Sequence, residues 1–110
     1  MIVKKYKVIA FPNVYDDIKE IEDFIKIDSP ANAIKVRNTI LKTIKSLKTF
    51  PFRYHQDYFR INQNENYRFL SVWSYNIHYK IEDNKVLVLK VIYGGKDPST
   101  ITKEINKTYK

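Results

Sequence analysis

Between Phe50 and Arg60 the chain interleaves cations with rings, in the order Phe50, Phe52, Arg53, Tyr54, His55, Tyr58, Phe59, Arg60. Rings stack on unpaired bases while cations neutralise phosphates, so this is the composition of a surface for single-stranded nucleic acid. Phe50 and Phe52 read as anchors that pin the loop to a core, which leaves Arg53, Tyr54 and Arg60 as contacts. His55 suits proton transfer, because imidazole is the side chain whose ordinary pKa lies near neutrality. Lys35, Lys42 and Lys45 fall at spacings of seven and three, which places them on one helix face with Asn38 between them. That stripe reads either as a solvated face or as a track for phosphates. The chain has no cysteine and two histidines, too few for a metal site, and no cofactor is implied. Gly94-Gly95-Lys96 lacks the spacing of a phosphate-binding loop around its lysine.

The charge distribution points the same way. The 110 residues carry a net charge of +8 with a pI near 9.6. Residues 1–30 sum to −1, residues 31–65 to +5 and residues 66–110 to +4, so the excess lies in the last two thirds. Such a clustered base excess fits a nucleic-acid or acidic-protein partner, or a surface tuned for solubility. No stretch approaches the length of a membrane span and the start has no cleavable leader pattern, so a cytoplasmic, soluble protein is expected. The length fits one domain, residues 1–110, with a core of its own.

The elements that must carry these residues follow from periodicity. Tyr75 to Ile81 alternates apolar and polar residues, placing Tyr75, Ile77, Tyr79 and Ile81 on one face of a strand. His78 falls on the opposite side and reads as a satisfied sheet residue. Val86 to Tyr93 is apolar except at Lys90, as in a strand covered on both faces. A two-residue turn at Asp83-Asn84 would pair Ile81 with Val86 and Tyr79 with Val88. Tyr67 to Trp73 precedes them through a link near Ser74, which makes an antiparallel three-stranded meander with one helix-covered face. Lys4 to Phe11 reads as a first strand. Val14, Ile18, Ile21 and Ile25, with Phe24 beside them, set a first amphipathic helix opening at Asn13 or Val14. Ser29-Pro30 opens a second helix, whose stripe of Ile34, Ile40, Leu41, Ile44 and Leu47 runs to about Lys48. The two helices can only form an antiparallel hairpin over the sheet. The stretch 56–66 resembles a linker, and Asp97-Pro98 opens a short last helix with Ile101 and Ile105 on one side.

In this order the residues resemble a known family. The segments SPANAIKVRNTILKTIKSLKTFP and NYRFLSVWSYNIHYKIEDNKVLVLKVIYGGKD are similar to the second helix and the sheet of the RelE/ParE superfamily of bacterial toxins, from about Tyr6 to about Asp97. The resemblance implies an α+β fold of order β-α-α-β-β-β, a helical hairpin on an antiparallel sheet, with a short C-terminal helix. It implies a toxin of a type II toxin-antitoxin module, held by a cognate antitoxin protein. Two mechanisms follow from it: RelE-like cleavage of mRNA on the ribosome, or ParE-like inhibition of DNA gyrase without chemistry.

Metal-free RNA cleavage needs a base for the 2′-hydroxyl, cations for the phosphate and an acid for the leaving oxygen. The resemblance assigns Arg68 as a phosphate clamp and puts Tyr93 and Lys96 where the enzymes carry a His, Arg or Tyr. Arg53, His55 and Arg60 would overhang the same edge. On Arg68 and the basic-aromatic loop, the ribosomal interferase is the first expectation, a metal-independent endoribonuclease. Gyrase inhibition is the second, since Gly94 to Asp97 is nearer to the ParE-type turn, and a non-toxic RNA-binding domain is the third.

Overall fold

The computed structural model describes residues 3–61 and 66–108. Strand β1 (Lys7–Ala10) leads directly into helix α1 (Pro12–Lys26), and helix α2 (Pro30–Ser46) follows after a tight turn. A 3-10 turn, Pro51–Arg53, and a two-residue strand β2 (His55–Gln56) come next. The meander is β3 (Tyr67–Val72), β4 (Tyr75–Glu82) and β5 (Lys85–Tyr93), and helix α3 (Pro98–Thr108) follows it. The fold is α+β, with a five-stranded sheet in the order β1-β5-β4-β3-β2.

The meander has the register that alternation dictates. Ile81 faces Val86, Tyr79 faces Val88, and Asp83 takes the left-handed conformation (φ 55°) between them. Trp73 does the same (φ 52°) where Val72 faces Tyr75. Ser29 caps α2 as its residue type requires, its Oγ accepting the Asn32 amide at 3.3 Å. Helix α1 instead starts at Pro12 with no side-chain cap. Asn13 is used elsewhere, donating its amide to the Leu89 carbonyl at 2.9 Å. Asp17, one turn on, accepts the Val91 amide at 3.1 Å. Both side chains thus serve the edge of β5 just past the point where β1 stops, bonding as a further strand would.

Four expectations need correction. The sheet is mixed, because β1 lies parallel to β5. The pairing of β2 with β3 adds a chain reversal that the meander pattern does not contain. Both faces of the sheet are covered. On one, Val14, Ile18, Ile40, Ile44 and Leu47 of the hairpin pack on Leu70, Val72, Ile77, Tyr79, Ile81, Val86, Val88 and Val91. On the other, Ile101 and Ile105 of α3 pack with Phe59 on Phe69 and Ile92. Finally, Ile34 is 48% exposed and Phe24 73% exposed, so neither belongs to the buried stripe. Ala33 takes the core position on α2, at the spacing that leads through Ile40, Ile44 and Leu47.

Of the linker-like stretch 56–66, residues 62–65 lie outside the described residues. Asp57, Phe59 and Arg60 are buried, so its first part is structure rather than tether. Asp57 is its anchor: one carboxylate oxygen accepts the Phe59 amide at 3.0 Å and the other faces His78 Nδ1 at 2.8 Å. His78 is a satisfied sheet residue as expected, but it is buried because the second face of the sheet is covered as well, and it stacks on Phe69 with ring centroids 5.3 Å apart.

Candidate functional site

The residues singled out for chemistry fall into two groups at opposite ends of the sheet. At one end Tyr79, fully buried, donates its hydroxyl to the Pro51 carbonyl at 2.5 Å and so fixes the 3-10 turn against the sheet. Arg68 lies beside it, donating to the Tyr54 carbonyl at 2.9 Å and the Phe52 carbonyl at 3.3 Å, with its guanidinium 5.2 Å from the Phe52 ring. Arg68 therefore ties the turn to β3, and Arg53 packs 4.8 Å from the Tyr54 ring alongside. Burial pushes the Tyr79 phenol well above its ordinary value, so it holds its proton at neutral pH.

Arg60 is only 4% exposed and stacks 4.2 Å over Tyr67, whose ring also receives Lys80 at 5.2 Å. Its expected place as an RNA contact is corrected accordingly: it is buried against Tyr67, because the Asp57 turn folds it inward. Lys35, Lys42 and Lys45 are exposed along α2, with Lys35 6.0 Å from the ring of Trp73. Arg53 is exposed too and Tyr54 half-buried, but Lys35 stands by the Trp73 turn, at the other end of the sheet from Pro51–Arg53.

At the other end Tyr93 faces Tyr75 across the strand pair, ring centroids 5.9 Å apart, and Lys96 pairs with Glu104 of α3 at 3.1 Å. Burial, with some help from Tyr93, raises the Tyr75 phenol. The two glycines that follow have no left-handed φ; Gly94 is needed for its close approach to buried Asn76, while at Gly95 the neighbour is the movable end of exposed Tyr93. A Cβ on Gly94 would stand 2.9 Å from the Asn76 side chain, and one on Gly95 would strike the Tyr93 ring.

The sheet does not bring the four catalytic candidates together. Arg68 is opposite Tyr79 and Tyr93 is opposite Tyr75. Those two positions on β4 are about 13 Å apart along the strand, with two inter-strand steps added between β3 and β5. His55 opposes Phe69, one position from Arg68, so it projects from the other face of the sheet, its ring 6.1 Å from that of Phe69. Lys96 is engaged with α3. These four candidates thus do not surround one phosphate position, whereas a base and an acid must lie within hydrogen-bond reach of the groups they serve.

A groove of about 580 Å³ runs past Tyr93, between α1, β5 and α3. Sequence reading missed it, since its lining joins Asp17, Glu20 and Phe24 of α1 to Tyr75 and Tyr93 of the meander, about fifty residues or more away. One signal was available: Phe24 stands one position off the helical stripe, where an aromatic ring has no core to enter. Asp17 pairs with Lys90 at 2.9 Å inside it. Burial pushes the Asp17 carboxyl above its ordinary value, the hydrogen bonds from Lys90 and Val91 opposing this and Glu20 adding to it. The folded state therefore binds this proton more readily than the unfolded chain does. Its contribution to stability is full below the ordinary carboxylate pKa and is lost as pH rises through the raised one. In urea titrations Asp17→Asn is expected to gain on the native chain as pH goes from about 4 to about 6. A constant difference would show that the raised value has no effect on stability.

Among the described residues no helix is long and apolar enough to cross a membrane. No match is found among curated proteins. A solved structure described as the chromosomal ParDE TA system from P. aeruginosa superposes with a TM-score of 0.65 at 15% identity, covering 82% of this chain and 97% of that one. The family profile described as the ParE toxin of type II toxin-antitoxin system, parDE, matches residues 12–98. With the hairpin, the meander and the turn at Gly94-Gly95 all inside that match, the chain belongs to the ParE toxin family of type II toxin-antitoxin modules.

Proposed function

We propose that this toxin acts as a binding inhibitor of DNA gyrase in the cytoplasm and has no ribonuclease activity. The observation that carries this reading is the separation of Arg68 and His55 from Tyr93 and Lys96, on different faces and at different ends of the sheet. Membership of the ParE family supports it further, and weighs for the second expectation over the ribosomal interferase expected first. Inhibition by binding requires only a complementary surface. The exposed Lys35, Lys42 and Lys45 along α2 supply a positive one suited to an acidic target or to DNA held by it. As in other modules of this type, a cognate antitoxin would neutralise the toxin by covering part of its surface.

The test is a supercoiling assay with purified gyrase, run beside a ribosome-dependent message-cleavage assay at the same doses. Supercoiling is expected to stop while the message stays whole. Reversing Lys42 and Lys45 to Glu is expected to weaken inhibition by roughly an order of magnitude without loss of fold. Message cleavage that disappears in Arg68→Ala, with supercoiling undisturbed, would restore the interferase.

A further inference from the structure

In a chain of net charge +8, the groove beside Tyr93 is a local exception. Its two ammonium groups are already matched, Lys90 by Asp17 at 2.9 Å and Lys96 by Glu104 at 3.1 Å. Glu20 is a third carboxylate on the same wall, and it has no hydrogen-bond or salt-bridge partner among the described residues. The groove therefore carries one unmatched negative charge. Rings border that charge: Phe24, one turn on in α1, is 73% exposed, and Tyr93 is 47% exposed with Tyr75 packed behind it. Ile21 and Ile92 line the floor. An exposed phenylalanine beside a partnerless carboxylate gains nothing for the isolated fold, since ring and charge are each stabilised only when covered and neutralised.

We propose that this groove is the receptor for an arginine-bearing, otherwise apolar segment of a partner protein. The guanidinium would pair with Glu20 and lie flat on the Phe24 or Tyr93 ring, with a neighbouring aliphatic side chain on Ile21 and Ile92. Arginine suits the site better than lysine because its planar head can stack and donate to a carboxylate at once. The charge complementarity is selective. In a chain with a large base excess a groove that favours a cation is selective, so it helps to fix the register of what lies across it. This inference is independent of gyrase as the target.

A displayed library of short random peptides, selected on the whole chain and counter-selected on a Glu20→Lys, Phe24→Ala double variant, tests it. Both positions are exposed, and the circular dichroism and melting of the variant should match the native chain. The groove-dependent peptides are expected to carry Arg beside Leu, Ile or Met. Their Kd should rise about tenfold on the milder Glu20→Gln change, the scale of one charge pair. The proposal is overturned if groove-dependent peptides are acidic, if none are recovered, or if the double variant dissolves a dimer of the native chain, which would make a second copy the occupant.

Discussion

Asp57→Ala is expected to destabilise the fold by about 3–5 kcal/mol, the scale for removing one member of a buried, hydrogen-bonded pair. Asp57 and His78 are both fully buried, and the same carboxylate also accepts the Phe59 amide. Alanine would leave two donors, His78 Nδ1–H and the Phe59 N–H, facing a cavity beneath aromatic rings. His78 could not compensate through its second nitrogen, since Nε2 is buried with no hydrogen-bond partner among the described residues. At about 4–8 °C per kcal/mol for a domain of this size, the melting temperature should fall by more than about 12 °C. Asp57→Asn preserves the shape and an acceptor for Phe59, and its amide can donate to Nδ1 if the ring proton moves to Nε2, where it finds no partner among the described residues. It should therefore recover part of the loss, and equal damage from both substitutions would show that the pair is not the cause.

Tyr79→Ala should cost a similar amount, about 3–5 kcal/mol, because Tyr79 is among the largest fully buried side chains and sits at the centre of the hairpin-facing core. Tyr79→Phe separates the two functions of the ring and the hydroxyl. It keeps the packing but leaves the Pro51 carbonyl without its donor, for a loss of about 1–3 kcal/mol. The loss should be local as well as global. The 3-10 turn that carries Arg53 and presents Tyr54 would be held by Arg68 alone of the two side chains described on it, and proteolysis near residues 50–54 should accelerate in Tyr79→Phe. Unchanged cleavage there would mean that the hydroxyl does not pin the turn.

The meander was legible because alternation is a strict code: once Tyr75, Ile77, Tyr79 and Ile81 share a face, a two-residue turn leaves one register for Val86 and Val88. Ser29-Pro30 was legible for an equally local reason, a cap and a fixed φ next to each other. β2 was not, since two exposed residues, His55 and Gln56, carry no pattern. The parallel placing of β1 was hidden because four residues, Lys7 to Ala10, do not show which strand of the meander they will join. The inward turn of Arg60 was hidden because a basic residue between rings reads as a surface feature until Asp57 is seen to bury the loop. At the site, composition identified the basic surface on α2 and the turn. The groove was not legible, because Glu20 and Phe24 on α1 are far in sequence from Tyr75 and Tyr93 on the meander and meet them only by the way α1 crosses the end of β5.

The parallel pairing of Lys7–Ala10 with Lys85–Val88 has a consequence for synthesis. A ribosome adds about 5–20 residues per second, so the first of these strands waits on the order of ten seconds before its partner exists. The helical hairpin can form from local contacts during that interval, but the sheet cannot be completed until β5 has emerged, so folding is delayed by topology. A short apolar strand left open for that time invites pairing with the wrong chain. Here it opens with Lys7 and is preceded by Lys4 and Lys5, all exposed, and lysines beside an open edge repel such encounters. The basic start thus guards the nascent chain during a wait that its own topology imposes.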